Sequence, residues 1–292
     1  MNMTKTDIWR HVEVDKAGLE NNPYLNPKPQ LPIATPSSST PPSPIQSLDN
    51  YLVLNNISCV DADGNIFEEY PELRVQKDIF RHARGEQVTF NLYNAVIHCE
   101  QRGLFLPSFA LTCNIVVALY QQAVRRKSNG TYTTLNPDAK KVLDMYKDKG
   151  NRTGWHAQNT LINYATSEVI HYPSALDFVE TTTVNVVLQR TTVHFGRAKL
   201  QDCSLEDALQ DTAHTRYVRQ LTGLADPAIL VGIGNYFAKP AKLWFPWNGQ
   251  AGSEFNEKRA AWFCCDNNGL ILNGYNNLDY YNAARGVRIG AP

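Results

Sequence analysis

Between Trp262 and Asn282 the chain holds five aromatic residues (Trp262, Phe263, Tyr275, Tyr280, Tyr281) and six asparagines (Asn267, Asn268, Asn273, Asn276, Asn277, Asn282), with only Asp266 and Asp279 charged. This mixture narrows what the segment can be. A packed core avoids so many amides, because each buried amide needs several hydrogen-bond partners. A disordered linker avoids so many aromatics. Flat rings among small polar groups make adaptable recognition surfaces, with large contact area at low entropic cost. The competing reading is a set of Asn-Gly-rich turns on a small sheet. The stretch follows Leu243-Trp244-Phe245-Pro246-Trp247-Asn248, is opened by Lys258 and Arg259, and closes as Arg285-Gly286-Val287-Arg288-Ile289.

Upstream, residues 1–22 form an arm whose Ile8, Trp9 and Val12 share one helical face. Residues 23–48 form a Pro/Ser-rich linker, with eight prolines from Pro23 to Pro44. Proline fixes φ and removes donors, so the folded domain is expected over residues 49–292. Within it, Asp61-Ala62-Asp63-Gly64-Asn65 marks a turn. A calcium loop is the sharper reading of its acids, but Ile66 stands where such a loop needs glycine.

Two helices are expected next. Leu92, Ala95, Val96 and Cys99 recur at helical spacing before Gly103, and Ser108 caps an apolar helix running to about Lys127. Arg125-Arg126-Lys127 would then favour the negative end of that helix. Asn136-Pro137-Asp138 starts a third helix, ending near Lys149-Gly150-Asn151. Residues 160–164 and 169–172 read as a hairpin, and residues 181–195 as a further strand. Ser204-Leu205-Glu206-Asp207 opens a helical stretch that stops at Gly223.

Lys plus Arg and Asp plus Glu both total 28, so nothing favours a nucleic-acid partner. No run is long and apolar enough for membrane insertion, and the N-terminus lacks a basic region followed by an apolar run. No export signal is therefore expected, and the expected location is the cytoplasm or a virus particle. Six cysteines in 292 residues do not suggest a disulfide framework, and Cys99 and Cys113 read as core residues. Catalytic sets are equally lacking. There is no Gly-x-Ser-x-Gly elbow and no phosphate loop. His156, His171 and His194 are spread over strand-like segments, without metalloprotease spacing. Neither thiol of Cys264-Cys265 has a basic neighbour in sequence to form a thiolate. No catalytic residue, metal or cofactor is expected.

The run from Asn276 through Asn277-Leu278-Asp279-Tyr280-Tyr281-Asn282-Ala283-Ala284-Arg285-Gly286-Val287-Arg288 resembles the C-terminus of variable proteins made by diversity-generating retroelements. In that family adenine-directed mutagenesis converts Asn codons to Tyr, Asp, Gly, Ala, Cys or Phe codons, while a closing Gly-x-Arg stays. This chain has Val287 where the family usually has Phe, and Asn273 where Arg is common. The Leu-Pro-Ser connection at residues 106–108 between two helices is similar to that of formylglycine-generating enzymes. The resemblance implies an α+β, C-type lectin-like fold of the formylglycine-generating-enzyme variant, with small antiparallel sheets and two or more helices. It implies a protein that binds varied ligands, an unknown protein or cell-surface molecule, through a diversified region at about 243–292. The implied contacts are Trp262, Phe263, Cys264, Asp266, Asn267, Asn268, Asn273, Tyr275, Asn276, Asn277, Tyr280 and Asn282. Residues 285–288 would form a closing strand. The alternatives are an oxidase of the formylglycine-generating type, or a structural phage or particle component.

Overall fold

β1 (Tyr51–Val60) and β2 (Ile66–Gln76) pair as an antiparallel hairpin, and the pairing depends on a crimp in its middle. Leu52, Leu54, Leu73 and Val75 are buried on one side of it, and Ile57, Cys59, Glu68 and Tyr70 on the other. Strict alternation from Leu52 and Leu54 would turn Ile57 and Cys59 outward. Between the two sets stand Asn56, with φ of 55°, and Pro71, which has no N–H to donate. Both strands change face there together, so both halves of the hairpin feed one core. The turn at Asp61 closes on itself, since its Oδ1 accepts from the N–H groups of Asp63 and Asn65 at 2.9 and 2.8 Å. Asp63 pairs with Arg216. These acids support a turn and an ion pair.

The computed structural model describes residues 48–147, 155–163, 168–172, 191–194, 203–244, 258–266, 268–276 and 281–290. The arm and all of the linker except Leu48 therefore lie outside the described residues, and Ser47–Pro292 is one compact unit. Among the described residues are six α-helices and twelve strands, an α+β fold. α1 (Leu92–Glu100) begins at Asn91, whose side chain accepts from the Asn94 N–H. α2 (Phe109–Ala123) begins at Ser108, whose hydroxyl accepts from the Leu111 N–H at 3.0 Å. α2 is apolar on most of its circumference, which marks a helix buried on several sides. It lies in the central core with β1, β5 and β10 around it.

α2 stops earlier than expected. Val124 turns extended, and Arg125 and Arg126 fall on β3 (Val124–Arg126), paired with β4 (Tyr132–Thr134). The three basic residues thus belong to a hairpin and not to a helix terminus. α3 (Pro137–Asp144) has Asn136 as its cap and ends short of the expected Lys149. β5 (Trp155–Asn163) and β6 (Glu168–His171) form the expected hairpin, and β7 (Thr191–His194) extends it. β8 (Cys203–Ser204) leads into α4 (Leu205–Ala208), capped by Ser204. α5 (Thr212–Thr222), capped by Asp211, then ends at left-handed Gly223, so the expected single stretch is two helices. α6 (Ile229–Tyr236) was not signalled by a cap, and it makes no side-chain cap bond.

β9 (Ala241–Trp244), β10 (Lys258–Cys265) and β11 (Leu270–Asn276) complete a seven-stranded sheet in the order β7-β6-β5-β10-β11-β9-β8. Only β11 and β9 run parallel in it. β12 (Val287–Ile289) joins the other sheet, in the order β1-β2-β12. A buried relay couples the seven-stranded sheet to α2 and α5. The Phe109 N–H donates to Thr160 Oγ1 at 2.8 Å, Thr160 bonds His171 Nδ1 at 2.9 Å, and His171 Nε2 donates to the Gln220 carbonyl at 2.8 Å. Burial lowers the His171 pKa to about 4, so the ring is neutral and serves this relay.

Candidate functional site

β10 is the centre of the seven-stranded sheet, flanked by β5 and β11. Its alternation sends Ala261, Phe263 and Cys265 into the central core, where Phe263 lies 6.4 Å from Phe109 and 5.8 Å from Tyr146. Trp262 and Cys264 point the opposite way, beside Asn273 and Ile271 of β11. That face is buried as well. Trp262 and Cys264 are 0% exposed and Asn273 is 2%.

The expectation that Trp262, Phe263, Cys264, Asn273 and Asn282 form an exposed contact face is therefore corrected. A central strand has neighbours on both edges, and here both of its faces are covered from Ala260 to Cys265, which leaves those side chains no route to solvent. Asn282 is held by its backbone: its N–H and C=O each bond Phe90 at 2.8 Å, while its buried amide nitrogen and oxygen find no partner among the described residues.

Other members of the expected set do reach the surface. Asp266 and Asn268 form the turn joining β10 to β11, where Asp266 Oδ1 accepts from the Asn268 N–H at 2.7 Å. Asp266 is half-buried and Asn268 exposed. Gly269 completes this turn, and a Cβ there would meet the Pro240 carbonyl oxygen at 2.4 Å. Tyr275 and Asn276 lie on β11, Asn276 opposite Ala260. Asn267, Asn277 and Tyr280 lie outside the described residues. Tyr281, absent from the expected contacts, is 43% exposed. Its place in the aromatic run was visible in sequence, but nothing local distinguished its exposure from the burial of Asn282 beside it.

The segment after Tyr281 is a fastening. Ala283 bridges to His156, and its carbonyl accepts from the Ala157 N–H at 2.9 Å. Buried Arg285 donates through Nη1 to the Gln76 carbonyl oxygen and through Nη2 to Met145 Sδ at 3.4 Å, with its guanidinium 5.4 Å from the Tyr146 ring centre. Burial draws the Arg285 pKa down from its ordinary value. His156, stacked on Tyr146 at 4.5 Å, is pulled down to about 3, first by burial and then by the Arg285 charge. A neutral imidazole beside a buried cation is what electrostatics requires there. Arg288 lies 4.3 Å over the Tyr51 ring, tying β12 to β1.

β12 is bonded on both edges: Val287 pairs with Val75 of β2 and exchanges two hydrogen bonds with Phe105, at 2.9 and 3.0 Å. Gly286 passes so close to its neighbours that a Cβ would stand 2.6 Å from Leu104 Cδ1 and 2.9 Å from Gln76 Oε1. Its N–H also donates to that Gln76 oxygen. Gly286→Ala is therefore expected to destabilise the domain by about 1–3 kcal/mol through overpacking, read as a lower denaturant midpoint at unchanged slope. A midpoint within error of the parent would show that the contact relaxes freely.

Chemistry based on Cys264 and Cys265 finds no geometry. Consecutive strand residues face opposite sides, so the two thiols cannot serve one substrate groove. Among the described residues no group of His, Cys, Asp and Glu is placed to hold a metal. A separate buried carboxyl, Glu68, accepts from the Tyr70 hydroxyl at 2.7 Å and from Ser108 Oγ at 3.2 Å. Comparison with family models, with curated proteins and with solved structures returns no match.

Proposed function

We propose that this chain is a ligand-binding protein of the C-type lectin-like class, whose C-terminal segment is a diversified recognition surface of the retroelement-made type. One observation carries the reading: solvent-facing polar and aromatic residues sit directly beside residues locked by burial. Asn268 and Tyr281 are exposed, while Ala283, Ala284, Arg285, Gly286 and Val287, which follow in the same C-terminal run, are buried and bonded on several sides. A surface that must vary needs a frame that does not. The α+β class, the Leu-Pro-Ser connection into α2 and the pairing of residues 287–289 as a closing strand add support. The burial of Trp262, Phe263, Cys264, Asn273 and Asn282 moves them into the frame. The contact set becomes Asp266, Asn268 and Tyr281, with Asn267, Tyr275, Asn276, Asn277 and Tyr280 retained from the sequence.

The target is a protein or cell-surface molecule, because aromatic rings among amides and carboxylates suit broad, varied surfaces. The opposed thiols of Cys264 and Cys265 favour binding over cysteine-dependent oxidation. Among the described residues, no helix is long and apolar enough to cross a membrane.

The test is tolerance followed by selection. Libraries at Asn267, Asn268, Asn277, Tyr280 and Tyr281 should fold with stabilities within about 0.5 kcal/mol of the parent, as exposed sites do. Display of those libraries should yield binders to unrelated proteins. In a selected binder, alanine at an aromatic contact should cost about 2 kcal/mol of affinity. Libraries that unfold as often as libraries at Trp262 and Phe263 would overturn the proposal.

A further inference from the structure

The β3–β4 hairpin is a second surface of different chemistry. Residues 124–134 carry Arg125, Arg126 and Lys127 and no acidic residue, and all three basic side chains are exposed. They take part in no ion pair among the described residues. The nearby acids of α3 are already engaged, Asp138 by Lys77 and Asp144 by Lys140. The hairpin is held rigidly. Its tip is closed by Asn129, whose Oδ1 accepts from the Thr131 N–H and hydroxyl at 3.1 and 2.7 Å. Beside the tip, Tyr132 packs edge-on against Tyr236 of α6 at 5.0 Å and against Tyr120 of α2 at 6.3 Å.

The ladder also leaves an open edge. Lys127 bonds Thr131, and the Leu135 N–H bonds the Ala123 carbonyl. By the two-residue alternation of an antiparallel pair, the backbone groups of Tyr132 and Thr134 therefore turn outward. No third strand joins this sheet among the described residues.

We propose that the β3–β4 hairpin docks an extended acidic segment of a protein partner, added as a third strand along β4. Outward N–H and C=O groups supply the main-chain pairing, and the three cations select for acidic side chains. A single-stranded nucleic acid fits less well. It would need ring faces for its bases, whereas Tyr120, Tyr132 and Tyr236 pack edge to face with one another.

The experiment uses the full chain and fluorescently labelled probes in anisotropy titrations. The probes are a Glu-rich extended peptide, a neutral peptide of equal length, the Glu-rich peptide N-methylated at alternate residues, and a single-stranded oligonucleotide. The Glu-rich peptide should bind with salt-dependent affinity, and the neutral and N-methylated peptides should each bind at least about tenfold more weakly. Arg125→Glu combined with Arg126→Glu and Lys127→Glu should weaken it by at least about tenfold, the scale of reversing several interface charges, with an unchanged thermal melt. The N-methylated probe tests strand addition on the unmodified protein, whatever the charge-reversed variant does. No binding of the Glu-rich peptide up to about 1 mM would overturn the proposal. So would equal affinity for the N-methylated peptide, tighter binding of the oligonucleotide, or a folded charge-reversed variant that binds as well as the parent.

Discussion

Trp262→Ala is expected to lose about 3–5 kcal/mol of folding stability, the range found when a large buried aromatic is truncated. The indole is 0% exposed on the central strand of the seven-stranded sheet, beside Ala157 of β5 and Asn273 of β11. Neither neighbour is large enough to collapse into the space a lost indole would leave. In a domain of this size, each kcal/mol moves the thermal midpoint by about 2–4 °C, so the shift should be about 6–20 °C. Trp262→Phe separates packing from polarity. Among the described residues the indole Nε1 finds no acceptor. Phenylalanine removes that buried donor along with part of the volume, and should cost under about 2 kcal/mol. Were Trp262 instead a solvent-facing contact, alanine would leave the melt unchanged.

Glu68→Gln should stabilise the protein at alkaline pH by roughly 3 kcal/mol and have little effect below about pH 4. Burial raises the Glu68 pKa from 4.5 to about 7, against the lowering influence of the hydroxyls of Tyr70 and Ser108 and the thiol of Cys59. The sign follows from proton linkage. A raised folded-state pKa means the folded chain holds a proton that the unfolded chain has released between pH 4.5 and about 7. The stability associated with that proton is full below 4.5 and is lost as pH rises through about 7. His156 and His171, lowered to about 3 and about 4, act in the opposite sense and destabilise the fold as pH falls below 6.5. They are common to parent and variant, so the difference between two denaturant titrations, at pH 8 and pH 4, isolates Glu68. A difference that does not change with pH would mean that Glu68 ionises in the folded protein as it does in water.

Local features were readable from the sequence. Ser108, Asn136 and Ser204 cap the helices they were expected to cap, because a cap involves a hydroxyl or amide and N–H groups within three residues. The hairpin of residues 160–172 is equally local. The end of α2 was misjudged because three basic residues fit a helix terminus and an exposed β-ribbon equally well, and Val124 decides the matter by turning extended. α6 gave no cap signal, and Gly232 and Gly234 weaken its helical pattern. Gly234 is there for closeness, since a Cβ would lie 2.7 Å from the Lys239 carbonyl oxygen. The site was legible as a segment and not as a surface. Alternation puts Trp262 and Phe263 on opposite faces, but whether a face is covered depends on what packs over the sheet. The Phe263 face is covered by α2, about 140 positions earlier in the chain, and composition carries no trace of that contact.

The double fastening of β12 also bears on how the chain is made. Gly286 bonds a glutamine 210 positions earlier, so the first hairpin emerges from the ribosome long before the strand that completes its sheet. Contacts this distant close late and slow the search for the native state. Until Val287–Ile289 are released, the edge of β2 that they cover stays unpaired, an edge of the kind that recruits other chains. A stop codon almost anywhere upstream removes β12 and leaves that edge open for good.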